Sequence, residues 1–186
     1  WDEFVSVFSL ERIHLGGPIF DLDKLAHLNG LWIRSLGVEA LLLRIVAGGF
    51  TSRASADPRV LRGAAELVHD RLARLSEFDE LTAFFFEEPA ATADELRGKA
   101  SREDASAALD GALGALRAVA AWDVPSIEAA VRGIDVALKK RDLFMALRMA
   151  VTGRAVSTPL FETMSVIGRE ATLRRVASAL SRLQGA

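Results

Sequence analysis

The chain has 186 residues, of which 51% are hydrophobic, with no cysteine, no tyrosine and a formal net charge of −2. That size and composition suit one domain or two small ones with a helix-rich soluble core, and the absence of cysteine excludes a disulfide frame and thiolate chemistry and fits a cytoplasmic protein. No apolar run approaches the ~20 residues of a membrane helix, since residues 40–50 are interrupted by Arg44 and Gly48-Gly49, so no membrane partner is expected.

The charge is uneven. From Lys139 onward there are nine Lys/Arg and three Asp/Glu, a local charge of +6, whereas the preceding 138 residues carry fourteen against twenty-two, or −8. A basic third on an acidic remainder is the asymmetry of a directed polyanion-binding surface, although such blocks also arise as solvated faces. The chain opens at Trp1 in the middle of an amphipathic pattern, as the C-terminal piece of something longer would.

Residues 4–13 read as the tail of a helix from an earlier module, ended by Leu15-Gly16-Gly17-Pro18. Asp21 then caps a helix over 22–36, with Leu25, Leu28, Trp32 and Leu36 as its buried stripe. Asn29-Gly30 inside that pattern costs roughly 1 kcal/mol for glycine against alanine, which close contact with a neighbouring backbone would explain. Asp21 and Asp23 read as cap and surface charge, since no third metal ligand lies nearby. A short helix over 38–47 follows. Asp57-Pro58 starts the next, 59–75, with Leu61, Ala64, Val68, Leu72 and Leu75 on one face. Arg71 sits about 60° off that face, where it either snorkels over apolar surface or reaches into a groove beside the helix.

In residues 76–86, Phe78, Leu81, Phe84 and Phe85 pack a compact helix, and the three consecutive phenylalanines point in too many directions to be a base-stacking platform. Glu87 to Thr92 reads as a hinge between two bundles. The second half opens with a helical region over 93–122 that is re-capped at Ser101 by an S-R-E-D pattern and carries a stripe of Leu109, Ala112, Leu113, Leu116, Val119 and Ala120. Residues 126–140 form another helix, with Ile127, Ala130, Val131, Ile134 and Leu138 inward and Lys139, Lys140 and Arg141 at its C-terminus, where cations are favoured.

Residues 143–151 are helical, with Leu143, Leu147, Ala150 and Val151 inward, Arg148 to one side, and Thr152-Gly153 as the stop. Arg154-Ala155-Val156-Ser157 forms a loop. Thr158 is the expected N-cap and Pro159 the first residue of a helix over 160–167, which Gly168 ends. The last helix, 169–183, packs Leu173, Val176, Leu180 and Leu183, with Arg174, Arg175 and Arg182 outward. Free amides at the helix start, the hydroxyls of Ser157 and Thr158, and Arg148 thus converge on a corner able to bond an unstacked base or a phosphate. Every element is helical, so the expected fold is all-α, with two packed helical bundles.

Two segments carry a family pattern. GGPIFDLDKLAHLNGLWIRSL (16–36) and LRMAVTGRAVSTPLFETMSVIGREATLRRV (147–176) resemble the C-terminal part of bacterial glutamyl-tRNA synthetase, whose patterns run roughly F-D-x-x-K-L-x-W-x-N-G-x-Y-I-R and P-L-R-x-A-L-T-G…F-E-x-L-x-x-L-G-x-E-x-x-L-x-R. The similarity covers nearly the whole chain and implies an anticodon-binding cage, with residues 1–20 as the tail of a stem-contact region and 21–88 and 89–186 as two anticodon-binding bundles. It implies that Arg148, Ser157, Thr158 and Leu160 lie where the family contacts anticodon bases, and that Arg71 matches an arginine reading the third anticodon base. Lys139, Lys140, Arg141 and Arg154 would add a supporting basic surface. The departures are His27 for an aromatic, Trp32 for tyrosine, Ala146 where proline precedes L-R, and the lead-in KKRDLFMA at 139–146.

The family's H-I-G-H and K-M-S-K-S catalytic signatures are absent, and the three histidines (His14, His27, His69) show no triad or metal spacing. The resemblance therefore implies a fragment without catalytic residues or a cofactor of its own, ATP and Mg2+ serving the parent's catalytic domain. The partner implied is tRNA-Glu through its anticodon loop, with no DNA partner and a monomeric state. The similar cage of a class I lysyl-tRNA synthetase, and a helical protein-interaction module without an RNA role, are the competing readings.

Overall fold

The computed structural model describes residues 1–10, 16 and 21–185, so the expected Leu15 to Pro18 connection lies outside the described residues apart from Gly16. Among those residues the fold is all-α. Its helices are α1 (Asp2–Val7), α2 (Leu22–Ser35), α3 (Val38–Ala47), α4 (Pro58–Val68), α5 (Phe78–Phe86), α6 (Ala93–Arg97), α7 (Arg102–Ala118), α8 (Val124–Arg132), α9 (Lys140–Thr152), α10 (Leu160–Ile167) and α11 (Arg169–Gly185). No helix among the described residues is long and apolar enough to cross a membrane.

Side-chain caps set several of the starts. Asp21 accepts from the amide of Lys24 at 3.0 Å, Asp57 from Arg59 at 2.9 Å, Ser101 from Asp104 at 3.0 Å and Asp123 from Ser126 at 2.9 Å, each pairing an amide that a helix start leaves open. Two apolar cores result. The smaller gathers Ile33, Leu41, Ile45, Leu61, Ala65, Val68, Leu72 and Phe78 from α2 to α5 and the turn between α4 and α5. The larger runs from α5 to α11 around Leu109, Leu116, Ile127, Leu143, Leu147 and Leu183, all fully buried, each side chain worth about 2 kcal/mol in transfer. Helix α4 serves both, sending Ala64 to the larger core and Leu61, Ala65 and Val68 to the smaller. It packs on α10 at Gly63, where an added Cβ would come within 2.7 Å of Val166.

Several expected elements are shorter or differently faced. The first helix ends at Val7, with Phe8 already extended. On α2, Leu25, Leu28 and Trp32 are exposed (Trp32 74%), and the helix packs instead through Gly30 and Ile33. Gly30 has no Cβ, and its α-carbon side lies close to the backbone of Leu72 and Ala73, which draws that edge inward rather than the leucine stripe. Helix α4 does not continue to Leu75: it stops at Val68, passes through a 3-10 turn at His69–Arg71 and becomes extended at Leu72. Helix α7 ends at Ala118, leaving Ala120 exposed.

Helix α8 likewise stops at Arg132, so Lys139, Lys140 and Arg141 stand at the N-terminus of α9 and not at the C-terminus of α8. Cations there oppose the helix dipole by a few tenths of a kcal/mol each. Two are offset locally, Lys140 by donating to the carbonyl oxygen of Ile134 and Arg141 by pairing with Asp142 at 3.3 Å.

Candidate nucleic-acid interface

The corner expected around Arg148 forms, and it is shared between distant parts of the chain. Helix α9 buries Leu143, Leu147, Ala150 and Val151 and leaves Arg148 half-buried on its flank. Gly153, at φ 67°, ends α9 in the left-handed conformation that an L side chain resists, and its amide closes on the carbonyl oxygen of Met149. The Thr152 hydroxyl donates to the Arg148 carbonyl oxygen at 2.7 Å and accepts from the amide of Arg154 at 3.1 Å, which sets how the loop leaves the helix.

That loop returns under Arg148, whose Nη1 donates to the Ser157 hydroxyl at 2.5 Å and to the Thr158 carbonyl oxygen at 2.8 Å. Arg71 arrives from the other side, its Nη1 donating to the Ser157 carbonyl oxygen at 2.9 Å. Two guanidinium groups therefore meet at one residue, and both bond only neutral oxygens. Among the described residues, neither they nor Arg154 is paired with a carboxylate. Burial first, and then repulsion from Arg71, hold Arg148 below the ordinary guanidinium pKa, and it remains a cation at neutral pH.

Arg71 is not on a helix flank, as its spacing predicts, but in the 3-10 turn. His69 Nε2 bonds the carbonyl oxygen of Ile33 at 2.8 Å, the Asn29 amide donates to Ala73 O at 2.5 Å, and the Glu77 carboxylate takes the amides of Ala73 and Arg74 at 3.0 and 3.1 Å. These bonds, the first two long-range and the Glu77 pair local, replace the helical ones and leave Arg71 exposed.

The structure divides the remaining expected site residues. Ser157 is in the corner. Thr158 is not the cap of α10: it is 1% exposed, and α10 starts one residue later with Pro159 as an N-cap that offers no side-chain acceptor. Because the Thr163 hydroxyl donates to Pro159 O at 2.6 Å, the Thr158 hydroxyl donates to Thr163 Oγ1 at 2.6 Å. The Leu160 side chain is buried in the larger core. Thr158 and Leu160 are thus nearly closed to solvent, and the exposed residue at the start of α10 is Pro159 between them. Arg154 lies over the Phe84 ring, 5.5 Å from its centroid, beside the 83%-exposed Val156 at the loop tip. Lys139, Lys140 and Arg141 lie at the far end of α9, about 10 Å from Arg148 at 1.5 Å per residue, and are not brought into the corner.

Sequence reasoning missed Arg175. Expected to face outward, it is 2% exposed, with its guanidinium bonded to backbone of α5 and α9. The signal was in the spacing: Thr172, Arg175, Val176, Ala179, Leu180 and Leu183 form the buried face of α11, and the charge of Arg175 hid its place in it. The Glu87 to Thr92 segment, expected to be a hinge, is pinned by the same helix, Arg174 pairing with Glu88 at 2.6 Å and Arg182 Nη1 donating to Pro89 O at 2.9 Å and Ala91 O at 3.0 Å.

The family profile described as "Anticodon binding domain" matches residues 35–180. A glutamate–tRNA ligase of Acidothermus cellulolyticus is 38% identical over 190 residues, covering 96% of this chain and 38% of that protein. One of Chloroflexus aurantiacus is 35% identical over 196 residues, covering 98% and 39%. The chain thus spans well under half the length of these curated relatives. Among solved structures, a glutamate tRNA ligase from Elizabethkingia meningosepticum, in complex with its amino acid, superposes with a TM-score of 0.82 at 18% identity over 98% of this chain and 36% of that one, a likeness of fold.

Proposed function

This chain belongs to the anticodon binding domain family, and from that premise we propose that it is the tRNA-reading portion of a glutamate–tRNA ligase. One observation carries the reading: Arg71 and Arg148 converge on Ser157 from different parts of the fold, with no carboxylate among the described residues to neutralise them. Two uncompensated planar cations suit an unpaired stretch of RNA, whose phosphates supply charge and whose splayed bases offer acceptor edges. Arg71 is the base-reading residue, because it is exposed and free to exchange one backbone oxygen for another acceptor. Arg148 and Ser157 form the floor, the segment from Thr158 to Leu160 one wall through its exposed Pro159, and Arg154 a phosphate contact at the loop entrance. Lys139, Lys140 and Arg141 act farther out, as a diffuse attraction.

The parent enzyme activates glutamate with ATP and Mg2+ and passes it to tRNA-Glu, and this portion reports which tRNA has docked. ATP and Mg2+ are assigned to the part of the parent that this chain does not span. Residues 21–88 and 89–186 act as the two anticodon-binding bundles, preceded at 1–20 by the tail of a stem-contact region, in a cytoplasmic monomer.

Titration of the 186-residue chain with a tRNA-Glu anticodon stem-loop, and with the same hairpin carrying a changed anticodon, tests the proposal. The cognate hairpin binds more tightly, and its log K falls as log salt rises, as neutralisation of phosphate by Arg154 and the outer cations requires. Equal affinity for both hairpins with no salt dependence would refute it.

A further inference from the structure

The two arginines of the corner hang on different supports, Arg71 on the turn after α4 and Arg148 on α9. One buried side chain ties the neighbouring elements together. Arg175 Nη1 donates to the carbonyl oxygens of Phe84 at 2.8 Å and Val151 at 2.9 Å, and its Nη2 donates to that of Glu87 at 2.8 Å. Phe84 and Glu87 belong to the end of α5, and Val151 to the last turn of α9, just beyond Arg148. These are carbonyls that helix ends leave unpaired, so a single guanidinium closes two helix C-termini and sits at the negative ends of both dipoles.

The neighbouring contacts extend the same bracket. Arg174 and Arg182 hold Glu88, Pro89 and Ala91 of the strap that follows α5. Gly153, where the loop leaves α9, abuts that strap, with Pro89 3.4 Å from where a Cβ would stand. Arg154, the next residue, lies over the ring of Phe84, whose carbonyl oxygen Arg175 holds. The take-off of the Arg154–Ser157 loop is thus built against a surface that α11 pins from beneath.

We propose that Arg175 is a positioning residue for anticodon discrimination: without touching RNA, it fixes the end of α9, and with it Arg148 and the loop, against the bundle that carries Arg71. This rests on the RNA-reading function proposed above. Its chemistry requires arginine, since a lysine ammonium keeps the charge but lacks the fork that reaches three carbonyl oxygens on two helices at once.

The test compares the wild-type chain with Arg175→Lys, Arg175→Met and a control, Ile127→Ala, which removes a buried side chain of α8, a helix that belongs to neither the bracket nor the loop. Affinities for the cognate and anticodon-changed hairpins are measured well below each variant's own melting temperature. Both Arg175 variants lose discrimination by about tenfold, the low end of one good base contact, while their binding to the changed hairpin stays near wild type. Ile127→Ala discriminates as wild type does. If Arg175→Met does not fold, Arg182→Ala, which frees the carbonyls of Pro89 and Ala91, loses part of the same discrimination. Full discrimination by the Arg175 variants, rescue by lysine, or an equal loss in Ile127→Ala would each overturn the positioning role while leaving RNA reading intact. A wild-type chain that binds neither hairpin would overturn both.

Discussion

The side-chain amide of Asn29 donates to the carbonyl oxygen of Ala73 at 2.5 Å, 44 residues along the chain. The bond joins the middle of α2 to the turn that presents Arg71, and it accounts for an Asn-Gly pair inside a helix. Asn29→Ala removes one bond at an exposed position, so it costs about 1 kcal/mol and loosens the turn at Arg71. Gly30→Ala is the contrasting case. A Cβ there meets Leu72 O at 3.5 Å and Ala73 Cα at 3.6 Å, ordinary contacts, and only the movable Arg34 Nη1 at 3.2 Å. Helix propensity then wins, and Gly30→Ala stabilises by about 0.5 kcal/mol or more. Urea unfolding of the two variants should move the midpoint in opposite directions.

Gly63 lies where α4 crosses α10, and there space decides. An added methyl would stand 2.7 Å from Val166 Cγ2 and 2.9 Å from Cγ1. Valine is stiff at χ1, so one helix must shift away. Overpacking costs about 1–3 kcal/mol, more than the roughly 1 kcal/mol that alanine gains over glycine in a helix. Gly63→Ala is therefore destabilising by about 1 kcal/mol, and the double variant with Val166→Ala recovers most of the loss. A double-mutant cycle by thermal melting checks the coupling.

Acid should weaken the loop at Thr51 to Arg53 through one carboxylate. Desolvation works to raise the pKa of Asp79, but hydrogen bonds from the Ser52 amide and the Thr51 and Ser52 hydroxyls, together with the charge of Arg53, hold it at about 2 against an ordinary 3.8. With the folded pKa depressed, the carboxylate's contribution is complete above the unfolded value and is lost as pH falls through the folded one. Asp79→Asn should cost about 1–2 kcal/mol at pH 7. The gap between wild-type and variant melting temperatures should close between about pH 4 and pH 2. A gap that stays constant across that window would assign Asp79 a role other than its charge.

Those helix starts and stops that are decided within four residues were legible: Asp21, Asp57 and Ser101 cap as their spacing predicts, and Gly153 and Gly168 end α9 and α10. The break at His69 was not legible, because its causes, Ile33 O and Asn29, lie on another helix. Spacing located the corner at Arg148 and Ser157, whereas the family resemblance and not periodicity brought Arg71 to it. The basic block from Lys139 onward overstated the surface charge there, since Arg175 is internal and Lys140, Arg174 and Arg182 serve backbone or carboxylate partners of their own. Apolar periodicity also names a face without naming what meets it, which is how the stripe of α2 was placed inward.

The corner itself separates three roles that a contact map alone would merge. Arg71 is exposed and spends one bond on Ser157, so Arg71→Ala changes stability by no more than about 0.5 kcal/mol yet relaxes discrimination at one anticodon base by about 1–3 kcal/mol. Arg148 holds both the hydroxyl of Ser157 and the carbonyl oxygen of Thr158 while half-buried. Arg148→Ala therefore costs about 1–2 kcal/mol of stability and weakens binding to cognate and changed hairpins alike, because the loop loses its floor. Thr158 keeps its hydroxyl inside, donated to Thr163, so Thr158→Val costs about 1 kcal/mol of stability and leaves RNA affinity unchanged below its melting temperature. Hairpin titrations beside urea unfolding distinguish the three. A loss of affinity in Thr158→Val at full stability would mean that its hydroxyl turns outward to meet a base.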